Sequence, residues 1–351
     1  MGYFTMKKFR VVLSSVLILM ISLMLASCDK KEQVYSKDAF MMGTVINLKY
    51  YGKNGEKAIE ESINRISEIE KEMSLNIEDS EICDVNENAG VKPIKVSDDV
   101  FKVVEKSLYY GELSGGALDI SIRPVDALWS IGSDNERVPE NKEIKKALQS
   151  VDYKNIELDS DNNTVFLKNK SMAIDLGSIA KGYTADELVN ILKKYNVDRA
   201  FINLGGNLYV HGGKENNQPL NIGIQDPKGD KGEYFGVLKV EDKSVVTSGN
   251  YERYFIEDGK RYHHIMDPKT GYPSENGVIS TTIISDKSID GDALSTSTYV
   301  LGVEKGMELI NSIEGVDAIF VTDDNKVYTS KGINESNFDI TNKEYTYEKG
   351  R

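Results

Sequence analysis

The chain has 351 residues, 40% hydrophobic and 28% charged, which is typical of a globular protein with one large domain or two closely packed ones. Its 43 lysines and arginines against 56 aspartates and glutamates give a formal net charge of -13. A chain this acidic and without a basic run is a poor candidate for binding nucleic acid or an anionic lipid surface. It could hold a phosphate ligand only with local help from a metal ion, a lysine or a helix N-terminus.

The first 27 residues have the pattern of a bacterial secretory signal peptide. A basic start is followed by an apolar run over residues 11–25 and by the motif Leu25-Ala26-Ser27-Cys28, in which small residues precede a cysteine. We expect cleavage before Cys28, lipidation of its thiol, and a lipid-anchored protein on the extracytoplasmic face of the cell membrane. An uncleaved transmembrane anchor is the alternative, although the run is slightly short for a span. Met1 and Met6 are both candidate start residues.

The rest of the chain divides into three predicted parts. Residues 28–37 are polar and predict a tether, residues 38–340 a single domain, and residues 341–351 a polar C-terminal tail. With Cys28 lipidated, Cys83 is the only thiol left, so no intramolecular disulfide is expected.

The first predicted elements are a strand and two helices. Apolar and polar residues alternate over residues 44–51, as in a half-buried strand, and apolar residues recur at helical spacing over 54–74. Residues 76–93 have an acidic, irregular pattern that predicts a connection without helix or strand. Ser97 is a plausible N-cap of a second helix, which reaches residue 113 before a glycine pair.

The remaining elements combine short strands with helices. The patterns predict a helix over 140–150, strands over 164–167 and 172–176, a helix from Gly177 to about Tyr195, a strand over 199–204, several strands to residue 284, a helix over 292–313 and a closing hairpin over 317–330 that turns at Asp324-Asn325. Strands and helices do not alternate regularly. We therefore predict an α+β fold, a single unit of mixed or antiparallel sheets flanked by helices.

One segment has the features of an anion site. Residues 172–183 predict a buried strand, a turn at Gly177 and a helix that starts with small residues and Lys181. A helix start presents free backbone N–H groups and a partial positive charge, to which Lys181 would add a point charge for a phosphate. The alternative is an ordinary strand–turn–helix with a solvated lysine.

A second segment could bind a metal ion. Asp292 and Thr296 are four residues apart, so they share one face of the predicted helix. A carboxylate and a hydroxyl on one face suit a hard cation such as Mg²⁺. Taken alone, the pattern is better explained by simple helix capping.

The other notable residues are two histidines, several glycine turns and the one tryptophan. His263 and His264 would point to opposite faces of a strand, so at most one faces a given site, and a zinc site is improbable because no further ligand has the needed spacing. Glycines before Asp119, and in the turn over 203–207, allow close approach of a ligand to the backbone. Trp129 is more typical of a core residue than of a stacking platform.

In this order, these segments resemble the ApbE family of FAD:protein FMN transferases. The resemblance covers nearly the whole predicted domain, from residue 42 to about residue 321. It rests on Met42-Gly43-Thr44, Glu72-Met73-Ser74, Gly116-Ala117-Leu118-Asp119-Ile120, the run over 173–182 from Ala173 to Gly182, Asn203-Leu204-Gly205-Gly206-Asn207, Thr247-Ser248-Gly249, the run over 264–271 from His264 to Gly271, and Asp292-Ala293-Leu294-Ser295-Thr296.

The resemblance implies an activity, a cofactor and partners. The family splits the pyrophosphate of FAD, with Mg²⁺, and leaves FMN attached by a phosphoester to a threonine of an acceptor protein, such as a flavin-carrying subunit of a membrane redox complex. Phosphoryl transfer mainly requires positioning and charge neutralisation, which Mg²⁺, a lysine and a helix N-terminus would supply.

It also implies roles for individual residues. Asp292 and Thr296 would bind Mg²⁺, with Ser178 a third ligand through its backbone carbonyl. Asp292, Lys181 and His264 would act in catalysis, with His264 and Asp267 the candidate bases. The residues expected to contact FAD are Met42, Asn76, Ala117, Leu118, Asp119, Asp175, Lys181, His264 and Thr270.

Asn76 leaves the reaction partly open. It falls where the family varies between an aromatic and a polar residue near the flavin, and relatives with a small polar residue there resemble FAD pyrophosphatases that release FMN and AMP. Hydrolysis of FAD is therefore an alternative to transfer, and a flavin-binding lipoprotein without catalysis is a third interpretation.

Overall fold

The computed structural model of the protein describes residues 32–216 and 218–348. The predicted signal peptide and Cys28 lie outside these residues. Seven α-helices lie in the described part: α1 Gly55–Met73, α2 Glu81–Glu87, α3 Asp98–Leu113, α4 Arg123–Trp129, α5 Asn141–Leu148, α6 Ala180–Lys194 and α7 Ser288–Asn311. No helix within 32–216 and 218–348 is both long enough and apolar enough to cross a membrane.

Seventeen strands form the sheets of the described residues. They are β1 Val34–Met41, β2 Thr44–Tyr51, β3 Ile94–Lys95, β4 Ile156–Asp159, β5 Thr164–Leu167, β6 Arg199–Leu204, β7 Asn207–His211, β8 Leu220–Gln225, β9 Tyr234–Val240, β10 Lys243–Gly249, β11 Tyr254–Glu257, β12 Lys260–His263, β13 Val278–Ser285, β14 Asp317–Thr322, β15 Lys326–Thr329, β16 Phe338–Ile340 and β17 Thr346–Glu348.

A nine-stranded sheet is the centre of the fold. Its order is β1-β2-β6-β7-β10-β13-β14-β15-β17, antiparallel at every step except the parallel pair β15–β17. Three smaller sheets accompany it: β16-β9-β8, β3-β5-β4 and the hairpin β11-β12. The predicted α+β fold with mixed and antiparallel sheets is confirmed.

Side chains of the large sheet alternate between two cores. On β13, Ile283 belongs to the core under α7, whereas Ile284 belongs to the core shared with the β16-β9-β8 sheet. On β14, Phe320 and Ile319 divide in the same way. Successive residues of a strand point to opposite faces, so one sheet carries helices on one face and a second sheet on the other.

Several predicted elements occur as expected. The strand over 44–51 matches β2, and the helices over 54–74 and 140–150 contain α1 and α5. Ser97 caps α3, since its Oγ accepts a hydrogen bond of 3.2 Å from Val100 N. The hairpin over 317–330 is formed by β14 and β15.

Two predictions in the N-terminal half are wrong. The connection over 76–93 contains the helix α2, which Ser80 caps through a bond from Cys83 N to its Oγ. Residues 172–176 form no strand, because the Asn86 side chain takes the place of a neighbouring strand. Its Nδ2 donates to Ile174 O at 3.0 Å, and its Oδ1 accepts from Ile174 N at 2.7 Å.

The ends of the domain and the start of α7 also differ from prediction. The last four residues of the predicted tether, 34–37, belong to β1, which pairs along its length with β2. In the predicted tail, Tyr345 is buried and β17 pairs with β15. Helix α7 begins at Ser288, before the predicted start at Asp292, and is broken at Gly302, whose φ is 76°.

Candidate functional site

The site forms where the first turns of α6 and α7 meet. Gly182, in the first turn of α6, lies against the first turn of α7 so closely that an added Cβ would be 2.4 Å from Ser288 O and 2.7 Å from Ile289 Cα. Only glycine fits this contact without movement of the backbone. The contact places the Lys181–Gly182 backbone beside Asp292.

Asp292 is the buried anion of this junction. Its side chain is 6% exposed, and its Oδ2 accepts a hydrogen bond of 2.8 Å from Gly182 N. Lys181 Nζ lies 4.0 Å from Oδ1, and no hydrogen bond from residues 32–216 or 218–348 reaches that oxygen. A buried carboxylate therefore keeps one oxygen available beside a cation.

Lys181 is held at the mouth of the same junction. Its Nζ donates to Gly177 O at 3.1 Å, and its side chain is 26% exposed. The ammonium group is thus accessible to a ligand while it remains near Asp292. The backbone N–H groups of this helix start are partly used within the protein, since Ala180 N donates to Leu176 O and Gly182 N to Asp292, so Lys181 is the main positive group that a ligand could reach.

Ser178 and Thr296 flank the junction. Ser178 is partly exposed and lies two residues before α6, and Thr296 is partly exposed and lies one turn after Asp292 on α7. The structure thus confirms that Asp292 and Thr296 share a helix, and it brings the Ser178 segment to the same place through Gly182.

Asp175 shapes the loop before α6. Its Oδ1 accepts a hydrogen bond of 2.7 Å from Gly177 N, and its own N–H donates to Ile120 O at 2.8 Å. The first bond tightens the turn that carries Ser178, and the second ties this turn to the 115–120 segment.

His264 lies close enough to Lys181 for the lysine charge to lower its pKa. The ring is exposed. Its partial desolvation by surrounding protein atoms, together with Arg253 and more weakly His263 and Lys181, lowers the pKa of His264 to about 4. Nδ1 lies 3.2 Å from Arg253 O. Because a carbonyl can only accept, Nδ1 carries the proton and Nε2 of the neutral ring is an acceptor.

The turn after His264 is fixed by the buried tryptophan. Trp129 is fully buried, as predicted, and its Nε1 donates to Gly271 O at 2.8 Å. Thr270 is exposed at this turn, and its Oγ1 accepts a bond from Tyr272 N at 3.3 Å. Asp267 closes the turn by accepting at its backbone oxygen from Thr270 N and Gly271 N.

The residues over 117–119 are largely buried. Ala117 and Leu118 are buried. The Asp119 carboxylate accepts bonds from Ser121 N at 2.8 Å, Ser121 Oγ at 2.6 Å and Tyr153 N at 3.0 Å, so it stabilises the loop. Burial raises the pKa of Asp119 above its usual range.

A groove joins two of the predicted FAD-contacting segments. Its volume is about 740 Å³, within the range of ligand sites, and its walls include Gly115, Gly116, Asp119, Tyr153, Pro268 and Lys269. The glycine turn before Asp119 and the turn that carries Thr270 therefore face a common space.

Met42 lies next to α6, and Asn76 lies apart from the junction. Met42 has a φ of 52°, its N–H donates to Glu70 Oε1 at 2.6 Å, and its Sδ accepts from Thr184 Oγ1 at 3.6 Å. Asn76 is exposed, and its N–H donates to Ser74 Oγ. No contact in the described residues joins Asn76 to Lys181, Asp292 or His264.

Sequence reasoning missed three residues that build the junction. Gly182 lies inside a segment that the sequence singled out, whereas Arg253 lies between two such segments, and the role of each depends on a residue elsewhere in the chain. The third, Asp186, binds the start of α7. The only sequence signal for Asp186 was its position, one turn after Gly182 on α6.

The donor set at the junction fits Mg²⁺ better than a transition metal. The described residues contain no group of three or more His, Cys, Asp or Glu that could hold a metal. One buried carboxylate, a nearby hydroxyl and backbone oxygens are the hard ligands that Mg²⁺ accepts when phosphate and water complete its shell.

Comparison with known proteins relates this arrangement to one family. The ApbE family profile matches residues 42–320. A protein of Treponema pallidum (strain Nichols), named FAD:protein FMN transferase, is 37% identical over 88% of this chain and 90% of its own length. A protein of the same name from Klebsiella pneumoniae (strain 342) is 38% identical over 85% of this chain and 92% of its own.

Solved structures agree in fold. The ApbE protein from Thermotoga maritima superposes with a TM-score of 0.79 at 31% identity, and the alignment covers 86% of this chain and 98% of that one. The flavin transferase ApbE from Vibrio cholerae gives a TM-score of 0.77 at 26% identity over the same shares of the two chains.

Proposed function

This chain belongs to the ApbE family and is a transferase of the FAD:protein FMN class, and we propose that it uses Mg²⁺ to move FMN from FAD onto a threonine hydroxyl of an acceptor protein. The observation that carries the Mg²⁺ proposal is Asp292, a buried carboxylate with one oxygen held by Gly182 N and the other free of hydrogen bonds from the described residues.

Charge neutralisation is the main task of this site. A pyrophosphate brings negative charge into a protein whose net charge is already -13. Lys181 and the N-terminus of α6 supply positive charge from the chain itself. Asp292, Thr296 and the Ser178 carbonyl would hold Mg²⁺, which would supply further charge neutralisation for the phosphates during transfer.

The proposed reaction exchanges one phosphorus–oxygen bond for another. The hydroxyl oxygen of the acceptor attacks the phosphorus of the FMN half and forms a phosphoester. The bond from that phosphorus to the bridging oxygen breaks, and AMP leaves with the electron pair. The hydroxyl proton passes to a base or to the leaving phosphate.

His264 is our candidate for that base. Its Nδ1 proton is directed to Arg253 O, so Nε2 of the neutral ring can accept a proton. Its pKa of about 4 keeps the ring neutral at physiological pH, although it also makes the ring a weak base. A loose transition state needs little help from a base, so a modest contribution is sufficient.

We further propose where the reaction occurs and which proteins accept FMN. The sequence before Cys28 supports a lipid anchor on the extracytoplasmic face of the membrane. An enzyme tethered there would meet flavin-carrying subunits of membrane redox complexes, which we propose as its acceptors.

In-gel flavin fluorescence tests the proposal. The chain without its signal peptide is mixed with FAD, Mg²⁺ and a candidate acceptor, and the acceptor should carry fluorescence that survives denaturing electrophoresis. EDTA should abolish the labelling and added Mg²⁺ restore it. Asp292→Asn should reduce labelling by several decades with folding unchanged, because the asparagine Oδ1 can still accept the bond from Gly182 N, whereas the anionic oxygen is lost.

The same assay separates the alternatives. Thr296→Val, at almost constant volume, should reduce labelling less than Asp292→Asn, because a neutral hydroxyl is the weaker ligand. Release of FMN and AMP without labelling of any acceptor would identify a pyrophosphatase. Full labelling by Asp292→Asn in EDTA would refute metal-assisted transfer.

A further inference from the structure

The start of α7 is held by a carboxylate of α6. Asp186 Oδ1 accepts a hydrogen bond of 2.7 Å from Ser288 N, and Asp186 Oδ2 accepts one of 3.1 Å from Ile289 N. These N–H groups belong to the first turn of α7 and have no partner within their own helix. The helix that carries Asp292 is thus capped from the helix that carries Lys181.

We infer that Asp186 is a positioning residue, which sets the place of Asp292 relative to Lys181 by fixing the first turn of α7 against α6. This inference rests on the proposed function, since it assigns Asp186 to the geometry of the proposed Mg²⁺ and pyrophosphate site. No hydrogen bond or ion pair joins Asp186 to Asp292 or Lys181 in the described structure.

Two contacts link the first turns of the two helices. Gly182 N donates to Asp292 Oδ2, and one turn further along α6, Asp186 accepts from the backbone one turn earlier on α7. From the first contact to the second, the residue number rises on α6 and falls on α7, so the two first turns run antiparallel. With both contacts formed, α7 can neither slide along α6 nor rotate against it without breaking a hydrogen bond.

The bond from Gly182 N holds Asp292, four residues into α7, whereas Asp186 holds the first two residues of that helix. A carboxylate with two oxygens on two successive N–H groups fixes a direction as well as a distance. Neutral partners assist: Ser288 Oγ donates to Asn207 Oδ1 at 2.7 Å and accepts from Ser244 Oγ at 2.9 Å. Among these contacts only Asp186 is an anion at the positive end of α7.

The competing interpretation is that Asp186 is an ordinary cap whose loss lowers stability only. Ser97→Ala is the matched control, since it removes the side-chain cap of α3, a helix that carries none of the site residues. The variants Asp186→Asn and Asp186→Glu are compared with Ser97→Ala and the parent at about pH 8. Burial raises the pKa of Asp186 to about 6, so the carboxylate is ionised under these conditions.

Three quantities are measured on the folded fraction of each variant: kcat for FMN transfer, the Mg²⁺ concentration for half-maximal rate, and hydrogen exchange at Ser288 N and Ile289 N. In Asp186→Asn we expect faster exchange at both amides, a several-fold higher Mg²⁺ requirement, and a kcat lower by about a hundredfold, as for misplacement of a reacting group by about 1 Å. The KM for FAD should change less than kcat. Asp186→Glu, which keeps the charge on a longer side chain, should lie between the parent and Asp186→Asn.

A kcat and Mg²⁺ requirement equal to those of the parent, in whichever Asp186 variant folds, would overturn the positioning role. So would a loss of kcat in Ser97→Ala as large as that in Asp186→Asn. Failure of the proposed function is recognised separately, by a parent that labels no acceptor or by full activity of Asp292→Asn. The exchange at Ser288 and Ile289 would still report whether Asp186 holds α7.

Discussion

Gly182 donates its backbone N–H to Oδ2 of Asp292 at 2.8 Å, across a junction that leaves no room for a side chain on Gly182. The two residues are 110 positions apart in the sequence. This one contact joins the lysine-bearing start of α6 to the carboxylate of α7, and the chemistry proposed for the site depends on it.

Gly182→Ala should therefore damage both stability and transfer. In an open helix this change would be mildly stabilising, but here the new Cβ would meet Ser288 O at 2.4 Å and Ile289 Cα at 2.7 Å. We expect destabilisation by about 1–3 kcal/mol, as for overpacking, and a large loss of transfer. Urea unfolding followed by the labelling assay measures both. A variant as stable and active as the parent would show that the helices can separate at little cost.

Lys181→Ala should weaken binding of FAD without unfolding the protein. The loss of one charged contact with a phosphate costs roughly 1.5–3 kcal/mol, or about one to two decades in affinity. Lys193→Ala is the matched control, because Lys193 is an exposed lysine near the other end of the same helix. Fluorescence titration with FAD measures the dissociation constants. Equal affinity in the two variants would remove Lys181 from the anion site.

His264→Gln tests the candidate base. If Nε2 accepts the hydroxyl proton, kcat should fall by less than the roughly hundredfold of a full general base, because the transition state is loose, while the affinity for FAD changes less. Because the pKa of His264 is about 4, the transfer rate of the parent should show no ionisation of this residue near pH 6.5. His211→Gln, a change on β7 away from the junction, is the control. A pH–rate profile for each protein decides, and an unchanged kcat would leave the proton to the leaving phosphate.

Glu72→Gln should change how stability depends on pH. Burial, together with Asp99 and Glu81, raises the pKa of Glu72 from 4.5 to about 7, although bonding to Ser97 and the charge of Arg65 act against this. The folded state therefore binds this proton more tightly than the unfolded chain. Its stabilising contribution is complete below about pH 4.5 and is lost as the pH rises through about 7.

The variant should accordingly be more stable than the parent at about pH 8 and lose that advantage below about pH 4.5. Urea midpoints across this range give the comparison. Glu60→Gln, a change at an exposed position of the same helix, should leave the pH dependence of the parent unaltered. Parallel stability curves for Glu72→Gln and the parent would contradict the raised pKa.

Cys28→Ser tests the predicted anchor. Cleavage before Cys28 depends on the cysteine thiol, so the variant should carry no lipid label. Its precursor should also differ in size from the processed parent protein. Cys83→Ser should be labelled like the parent. Metabolic labelling with a fatty acid reports both, and normal labelling of Cys28→Ser would exclude a lipoprotein signal.

Local patterns in the sequence predicted the elements that depend on local order. The strand over 44–51 and the hairpin around Asp324-Asn325 need only alternation and a turn, and both were correct. The strand predicted over 172–176 failed because its hydrogen-bond partner is the side chain of Asn86, 88 residues away from Ile174. Helix α2 was missed because seven residues are too few for a clear helical period.

The sequence predicted the site to about the same extent as it predicted the fold. Spacing alone placed Asp292 and Thr296 on one helix face, and the resemblance to a family assigned them to a metal. The two contacts between the first turns of α6 and α7 were not predictable, because each joins residues more than a hundred positions apart. Residue types identify the chemistry of a site, whereas long-range packing decides which groups meet.

The segment that follows residue 340 has a consequence for how the protein is made. Asn342 Nδ2 donates to Asp226 Oδ2 at 2.9 Å, the Tyr345 hydroxyl bonds to Asp226, and β17 completes one edge of the large sheet. A ribosome synthesises these residues after all the strands they join, and domains generally fold as units. The β17 edge of the large sheet and the bonds to Asp226 therefore form only after the other sixteen strands of the described residues have been made.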